Sequence, residues 1–337
     1  MELTFFDVFI TVATLLLMII PGFILAKTKI LKSGAIDAFT KMVLFGCQPA
    51  LMIMMFQNSV FRSELLVNML IAMGLSVCIH LLMVGFVLIA FRNRKDDQAT
   101  NAKIRCMRAG SVFGNIGYMG IPFIKMLFAD SPMLGEILIY VAVGIVVFNI
   151  LNWSFGIFLV TGDKKYVSFK KAFINPTGIS VIIGLVIFLV CQRPIASLAV
   201  EGSGLDKILT AIMDATAVVA DMITPLAMTI IGIRFANMKL KNLFTEKWVY
   251  FTSLNKLVIM SVLTMIVIWL VPVNPAIKAS LFFAFSMPSA TSTVMFAVNF
   301  GGDVDTAASI VVQTVLLSII TIPLMFLLLT GVFGVTF

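Results

Sequence analysis

The chain has 337 residues, of which 61% are hydrophobic and 12% charged, and it carries a net charge of +8. Soluble domains hold about 45–50% apolar and about 25% charged residues, so this composition excludes a water-soluble globular protein and requires lipid around most of the surface. The basic excess could suit nucleic acid, but its placement along the chain (below) assigns it to membrane topology, and no nucleic-acid partner is expected.

A spanning helix needs about 20 mostly apolar residues. Ten such segments can be drawn, at 4–26, 36–57, 65–91, 106–128, 136–160, 176–194, 207–235, 248–271, 276–300 and 305–334, leaving no room for a soluble domain. The first lies beside Glu2 and Asp7 where a cleaved signal would carry Lys or Arg, and no A-x-A site follows, so it reads as a retained helix. Span 2 contains Gln48-Pro49-Ala50-Leu51, and span 3 carries His80, the sole histidine. Span 4 reads Phe113-Gly114-Asn115-Ile116-Gly117-Tyr118-Met119-Gly120-Ile121-Pro122, and span 5 holds Asn149 and Asn152. Span 7 contains Asp214, Asp221 and Pro225. Span 9 places Ser286, Ser289, Thr291, Ser292 and Thr293 around Pro288, and span 10 holds Gln313; Asn149, Asn152 and Gln313 read as groups for interhelical hydrogen bonds. The four cysteines, Cys47, Cys78, Cys106 and Cys191, form no C-x-x-C or Cys/His spacing, so no disulfide, metal or other cofactor is expected.

Alternate loops are basic. Nineteen of the 24 Lys and Arg residues fall after spans 1, 3, 5 and 7, from Lys27 through Arg92, Lys164 and Arg234 to Lys256. Basic loops stay in the cytoplasm, which places both termini on the extracytoplasmic side of a cytoplasmic membrane. Spans 1–5 and 6–10 also resemble each other. Pro49-Ala50-Leu51-Met52 answers Pro225-Leu226-Ala227-Met228, Pro122 answers Pro288, and the Val146 segment answers the Val311 segment. Because five is odd, the second half must cross the membrane in the opposite sense, the inverted repeat common among secondary transporters. The expected organisation is all-α, with a first repeat at 1–160, a cytoplasmic linker at 161–175 and a second repeat at 176–337.

Proline removes a backbone donor and clashes with the preceding turn, and glycines loosen the backbone before Pro122. Both spans 4 and 9 therefore read as broken helices. Unwound backbone at that depth is tolerated only where protein or a water-filled cavity surrounds it, and half-helix N-termini favour anions. Asn115 and the Ser and Thr hydroxyls would complete a neutral, donor-rich pocket suited to a carboxylate.

The run Asn115-x-x-x-Met119-Gly120-Ile121-Pro122-x-x-Lys125 resembles the fourth-helix motif of the auxin efflux carrier family, in the compact form of its bacterial members rather than the long-loop plant PIN carriers. Pro288 with its hydroxyl-rich stretch, Phe296 and the Gly301-Gly302-Asp303-Val304-Asp305 loop resemble that family's ninth and tenth helices, and Gln48-Pro49-Ala50-Leu51 its second. The resemblance implies ten helices in a scaffold and a transport domain, helices 4 and 9 crossing at their prolines, and a carboxylate beside the crossing. It also implies a homodimer and a small organic acid anion, malate- or malonate-like or an auxin-like carboxylate, with auxin itself not expected as the physiological substrate. The substrate residues expected here are Asn115, Gly120, Pro122, Ser286, Pro288, Ser289 and Thr291, faced by Gln48 and Pro49.

Ionisable groups within a span are functional candidates. Asp214 and Asp221, seven apart, share a helical face. Burial would raise the pKa of Asp221, making it a candidate proton carrier, with His80 as a second. Protons and the membrane potential are both candidate driving forces; a sodium-coupled symporter of the bile-acid-carrier type stays open, as do an anion channel and a membrane sensor. An enzyme is not expected: no G-x-S-x-G, H-E-x-x-H or P-loop motif occurs, and Asp214 and Asp221 would stand about 10 Å apart, too far to share a proton.

Overall fold

The computed structural model describes residues 3–31, 34–57, 59–93, 97–168, 170, 174–238 and 246–336. Among these the chain is helical throughout apart from turns and one isolated β-bridge. In order, the α-helices are α1 (Phe5–Leu17), α2 (Ile19–Lys27), α3 (Ala35–Met42), α4 (Gln48–Met55), α5 (Ser63–Ala90), α6 (Gln98–Val112), α7 (Ile121–Leu127), α8 (Leu134–Leu151) and α9 (Ile157–Thr161). They continue with α10 (Pro176–Cys191), α11 (Gly204–Asp221), α12 (Ile223–Asn237), α13 (Lys247–Leu254), α14 (Met260–Leu270), α15 (Pro275–Ser286), α16 (Ser292–Phe300) and α17 (Val304–Gly331). Several are consecutive pieces of one rod. Joined, they give eight helices long and apolar enough to cross a membrane, and two shorter apolar ones, Ile116–Leu127 and Pro275–Ser286. The short ones fall in the fourth and ninth expected spans, which are interrupted midway.

Local chemistry sets the helix starts. Asn175 and Asn274 each accept a hydrogen bond from the backbone three residues on, Gly178 N and Ile277 N, and each is followed by proline at the first helical position. An N-cap acceptor plus a residue lacking the N–H that would be unpaired there is a strong start signal. Asp303 caps α17 through Thr306 N, and Gly301 adopts a left-handed φ of 85° that closes α16. The Gly301–Asp305 loop is thus a helix-to-helix turn. At the other kind of end, Arg108 donates from Nε to Phe91 O at 2.8 Å and also from Nη2, covering the carbonyl end of α5.

Among the described residues, four π-helical turns interrupt the rods, at Val43–Cys47, Ile116–Gly120, Asn152–Gly156 and Asn255–Ile259. Such widened turns recur at functional sites. Here each has a polar residue at or beside its end: Gln48, Asn115, Asn152 and Asn255.

Two tightly packed groups emerge. In one, α2 crosses α12 backbone to backbone: a Cβ on Gly22 would collide with Thr229 O, and one on Gly232 with Ile19 O. Lipid supplies no hydrophobic drive between helices, so such close approach of small residues is the main source of association. α4 packs on α10 and α11 beside this pair, with Gly184 against Phe56. In the other group, α5, α8, α14 and α15 pack side by side, while α6 lies against α9 and α17. Phe123, Phe128, Phe282 and Phe283 form an aromatic cluster there, with ring centroids 4.9–5.8 Å apart.

Candidate functional site

The two interrupted helices meet at their breaks. α6 stops at Val112, Phe113 and Asn115 leave helical geometry, and helix resumes at Ile116. α15 stops at Ser286, and α16 begins at Ser292. Between them Asn115 N donates to Pro288 O at 2.7 Å and Ala290 N donates to Phe113 O at 2.8 Å, forming an antiparallel bridge at Gly114 and Ser289. Unpaired backbone is costly in a dry interior; this pairing satisfies it. Ser289 completes the knot: Oγ donates to Gly110 O at 2.6 Å and N donates to Thr314 Oγ1 at 3.1 Å. Pro288 sits where no N–H is needed.

The crossing forms one wall of a cavity of about 680 Å³. Gly114, Asn115, Ile116, Gly117 and Tyr118 contribute from the first broken helix, and Ala290, Thr291, Ser292, Met295 and Asn299 from the second. Gln48 and Thr40 face them, with Phe148, Asn149, Asn152 and Trp153 at one side and Ile230 and Arg234 at another. The cavity extends from the crossing toward the helix ends at Ile36, Asn175–Thr177 and Asn299. Ser292 Oγ donates to Asn152 Oδ1 at 3.3 Å across it.

Its donors are largely unspent. Asn115 Nδ2, Asn149 Nδ2 and Arg234 Nε are buried with no hydrogen-bond partner among the described residues, as are the oxygens Gln48 Oε1 and Thr40 Oγ1. Asn115 stands immediately before a helical turn, where an Asn side chain ordinarily caps the backbone, yet it makes no capping bond. A buried donor without a partner costs about 1–3 kcal/mol, more when charged, so two amides and a guanidinium nitrogen in one cavity mark a place where a polar guest is awaited.

The expected site residues divide. Asn115, Gln48 and Thr291 line the cavity; Gly120, Pro122, Ser286, Pro288, Ser289 and Pro49 do not. The expected crossing of the two helices at their prolines is corrected in one half: Pro288 lies at the break, whereas Pro122 is buried in the first turn of α7, seven residues beyond Asn115. The glycines before Pro122 let the chain leave the helix early, and a proline early in a helix is compatible with it. Gly120 instead lies under Met287, whose Cγ would stand 3.1 Å from an added Cβ.

The ionisable residues are also redistributed. The expectation of a buried Asp221 is corrected: its side chain is 63% accessible, at the end of α11, and pairs with Lys125 at 2.5 Å. Asp214 is exposed on the same helix. His80 is buried, donating from Nδ1 to Ser76 O at 2.8 Å, with its ring 4.6 Å from that of Phe285. Gln313 makes the interhelical bond expected of it, accepting from Ser253 Oγ at 2.6 Å. Two of the basic residues counted with the loop after span 7 are turned inward from helical segments. Arg234 lines the cavity from the last turn of α12, and Lys256 is fully buried in the Asn255–Ile259 turn. The pocket read as neutral therefore contains a guanidinium. A charge count by loop cannot separate a basic residue near a helix end from one turned inward, and the polar Thr252, Ser253 and Asn255 just before Lys256 make it read as part of the loop. Of the remaining loop cations, Lys32, Arg94, Lys95, Lys171, Lys239 and Lys241 lie outside the described residues.

No curated protein sequence matches the chain. A family model described as membrane transport protein matches it twice, over residues 7–170 and 164–326, covering nearly its whole length. The apolar rods, the broken pair and this match lead to one assignment: the chain belongs to the membrane transport protein family, that of the auxin efflux carriers.

Proposed function

We propose that the protein is a secondary transporter that moves a small organic acid anion across the cytoplasmic membrane by alternating access, with the carboxylate held at the crossing by Asn115 and Arg234. The observation that carries this reading is the set of unpartnered donors, Asn115 Nδ2, Asn149 Nδ2 and Arg234 Nε, converging on one cavity. A guanidinium and amides form charge-assisted bonds with a carboxylate, and the apolar Phe148, Trp153 and Ile230 beside them would take the body of the acid. The acid is malate- or malonate-like, as the family resemblance implies.

The same reading takes the chain as ten transmembrane helices in two inverted halves, 1–160 and 176–337, joined by the linker 161–175, and working as a homodimer in the bilayer. It is supported by the pairing of one broken helix from each half, and by the two family matches, which part within residues 164–170. With the basic loops in the cytoplasm, the cavity mouth at Ile36, Asn175 and Asn299 faces inward, so the conformation described is inward-open and both termini are extracytoplasmic. Mirrored halves can exchange conformations to give the outward-open state. Asp221, on the outer surface of the bundle and ion-paired, no longer suits a proton carrier. The membrane potential, worth about 2.3 kcal/mol per charge per 100 mV, suffices to drive anion efflux.

The test is uptake of labelled malonate, malate, succinate and indole-3-acetate into proteoliposomes, under separately imposed proton, sodium and electrical gradients. Saturable uptake of at least one acid is expected. Flux at channel-like rates, or binding without flux, would replace the transporter reading with a pore or a sensor.

A further inference from the structure

The face of the crossing turned away from the cavity has a different chemistry. Where α6 and α15 end, their last carbonyls lose helical partners. Val112 O would accept from Ile116 N, but that N–H bonds to Gly114 O. Phe285 O would accept from Ser289 N, but that N–H goes to Thr314 Oγ1. Both orphaned carbonyls are met by one group: Lys256 Nζ donates to Phe285 O at 3.1 Å and approaches Val112 O at 3.5 Å. The side chain is 0% exposed, and among the described residues no carboxylate pairs with it. A lysine this deep is rare unless its charge is used. The two helix C-termini direct the negative ends of their dipoles to this spot, which a cation answers.

The position matters as well as the charge. A Cβ added to Gly114 would lie 3.2 Å from Lys256 Nζ, and Gly114 itself lines the cavity. The ammonium is thus one residue's thickness behind the wall against which the anion would rest. Ser286 Oγ and both side-chain polar atoms of Asn255, adjacent in sequence to Phe285 and Lys256, have no partner among the described residues. The segments meeting here hold more oxygen atoms than the lysine uses.

We infer that the rear of the crossing is a monovalent-cation site whose resident cation is covalently attached, the ammonium of Lys256. It neutralises the two helix ends, lets them meet in the membrane, and supports the anion through Gly114. The carbonyls a free cation could have taken are held instead by the protein's own ammonium. The site does not depend on the transport reading. Its consequence does: flux should require no sodium.

Removing the side chain should leave a hole that accepts a small primary ammonium ion. In Lys256→Ala, n-propylammonium chloride is expected to raise the melting temperature by several degrees in a saturable manner. Tetramethylammonium chloride, which has no N–H to donate, is expected to do nothing, and wild type should respond to neither. Equal responses to the two salts, or the same response in wild type, would overturn the site. If Lys256→Ala does not yield folded protein, wild type decides alone: replacing sodium by N-methylglucamine should change neither its melting temperature nor the uptake of whichever acid in the panel it carries. A saturable stabilisation of wild type by sodium would show that a free cation is bound and would refute the proposal. Absence of uptake for every acid would count against the transport reading while the melting experiment still judges the lysine. In proteoliposomes, Lys256→Met should lose about 10-fold or more in flux, from loss of a charge-assisted bond at the crossing; wild-type flux in that variant would also refute it.

Discussion

The front and rear of the helix crossing are built from the same two broken helices, and their polar groups are in opposite states. On the cavity side, Asn115 Nδ2, Asn149 Nδ2 and Arg234 Nε are buried without partners among the described residues. On the opposite side, the carbonyls of Val112 and Phe285 are both met by Lys256. A helix broken in a membrane produces a positive start and a negative end, and both must be answered. Here the negative ends are answered permanently by a side chain, and the positive side is left for a guest. The difference teaches where function and stability should separate: changes at the front should alter affinity, changes within the bridge should alter folding, and loss of the rear lysine, which serves both faces, should alter both.

The largest effect is expected at the front. Arg234→Gln should raise KM for the best-transported acid by about 10- to 100-fold, the cost of one charge-assisted hydrogen bond, with little change in melting temperature; initial-rate uptake at varied substrate concentration measures it. Within the bridge, Gly114→Ala should destabilise the protein by about 1–3 kcal/mol, because its Cβ would fall 3.2 Å from both Ala284 O and Lys256 Nζ. Ser289→Ala should cost about 1 kcal/mol by removing the bond to Gly110 O, with KM unchanged in thermal unfolding and uptake measured side by side. A KM change as large as that of Arg234→Gln would dissolve the distinction between the faces. Smallest of all, Asp221→Asn should move stability by no more than about 1 kcal/mol and leave the pH profile of uptake as it was, since neither member of the exposed pair with Lys125 lines the cavity.

Much of this architecture was legible in the sequence because its signals are strong and local. Apolar length gave the rods, and the hydroxyl-rich stretch around Pro288 gave a true break. Pro122 misled because a proline marks a break only when helix precedes it. Here Gly114 and Asn115 had already released the chain, and proline merely reopened the helix. Asp221 misled because hydropathy averages around a helix and cannot tell which side an aspartate faces. Arg234 and Lys256 were hidden for the converse reason: each sits within reach of a basic loop by count, and only packing shows that one turns into a cavity and the other into the gap behind the crossing. Asn149 read as an interhelical bond, and its missing partner could be seen only once its neighbours were in place.

The most direct test of the central claim is a structure of the protein with the best-transported acid bound. The account places a carboxylate oxygen about 2.7–3.2 Å from Asn115 Nδ2, within reach of Arg234, on the cavity side of Gly114. A carboxylate seated elsewhere, with Asn115 Nδ2 and Arg234 Nε still without a partner, would contradict it.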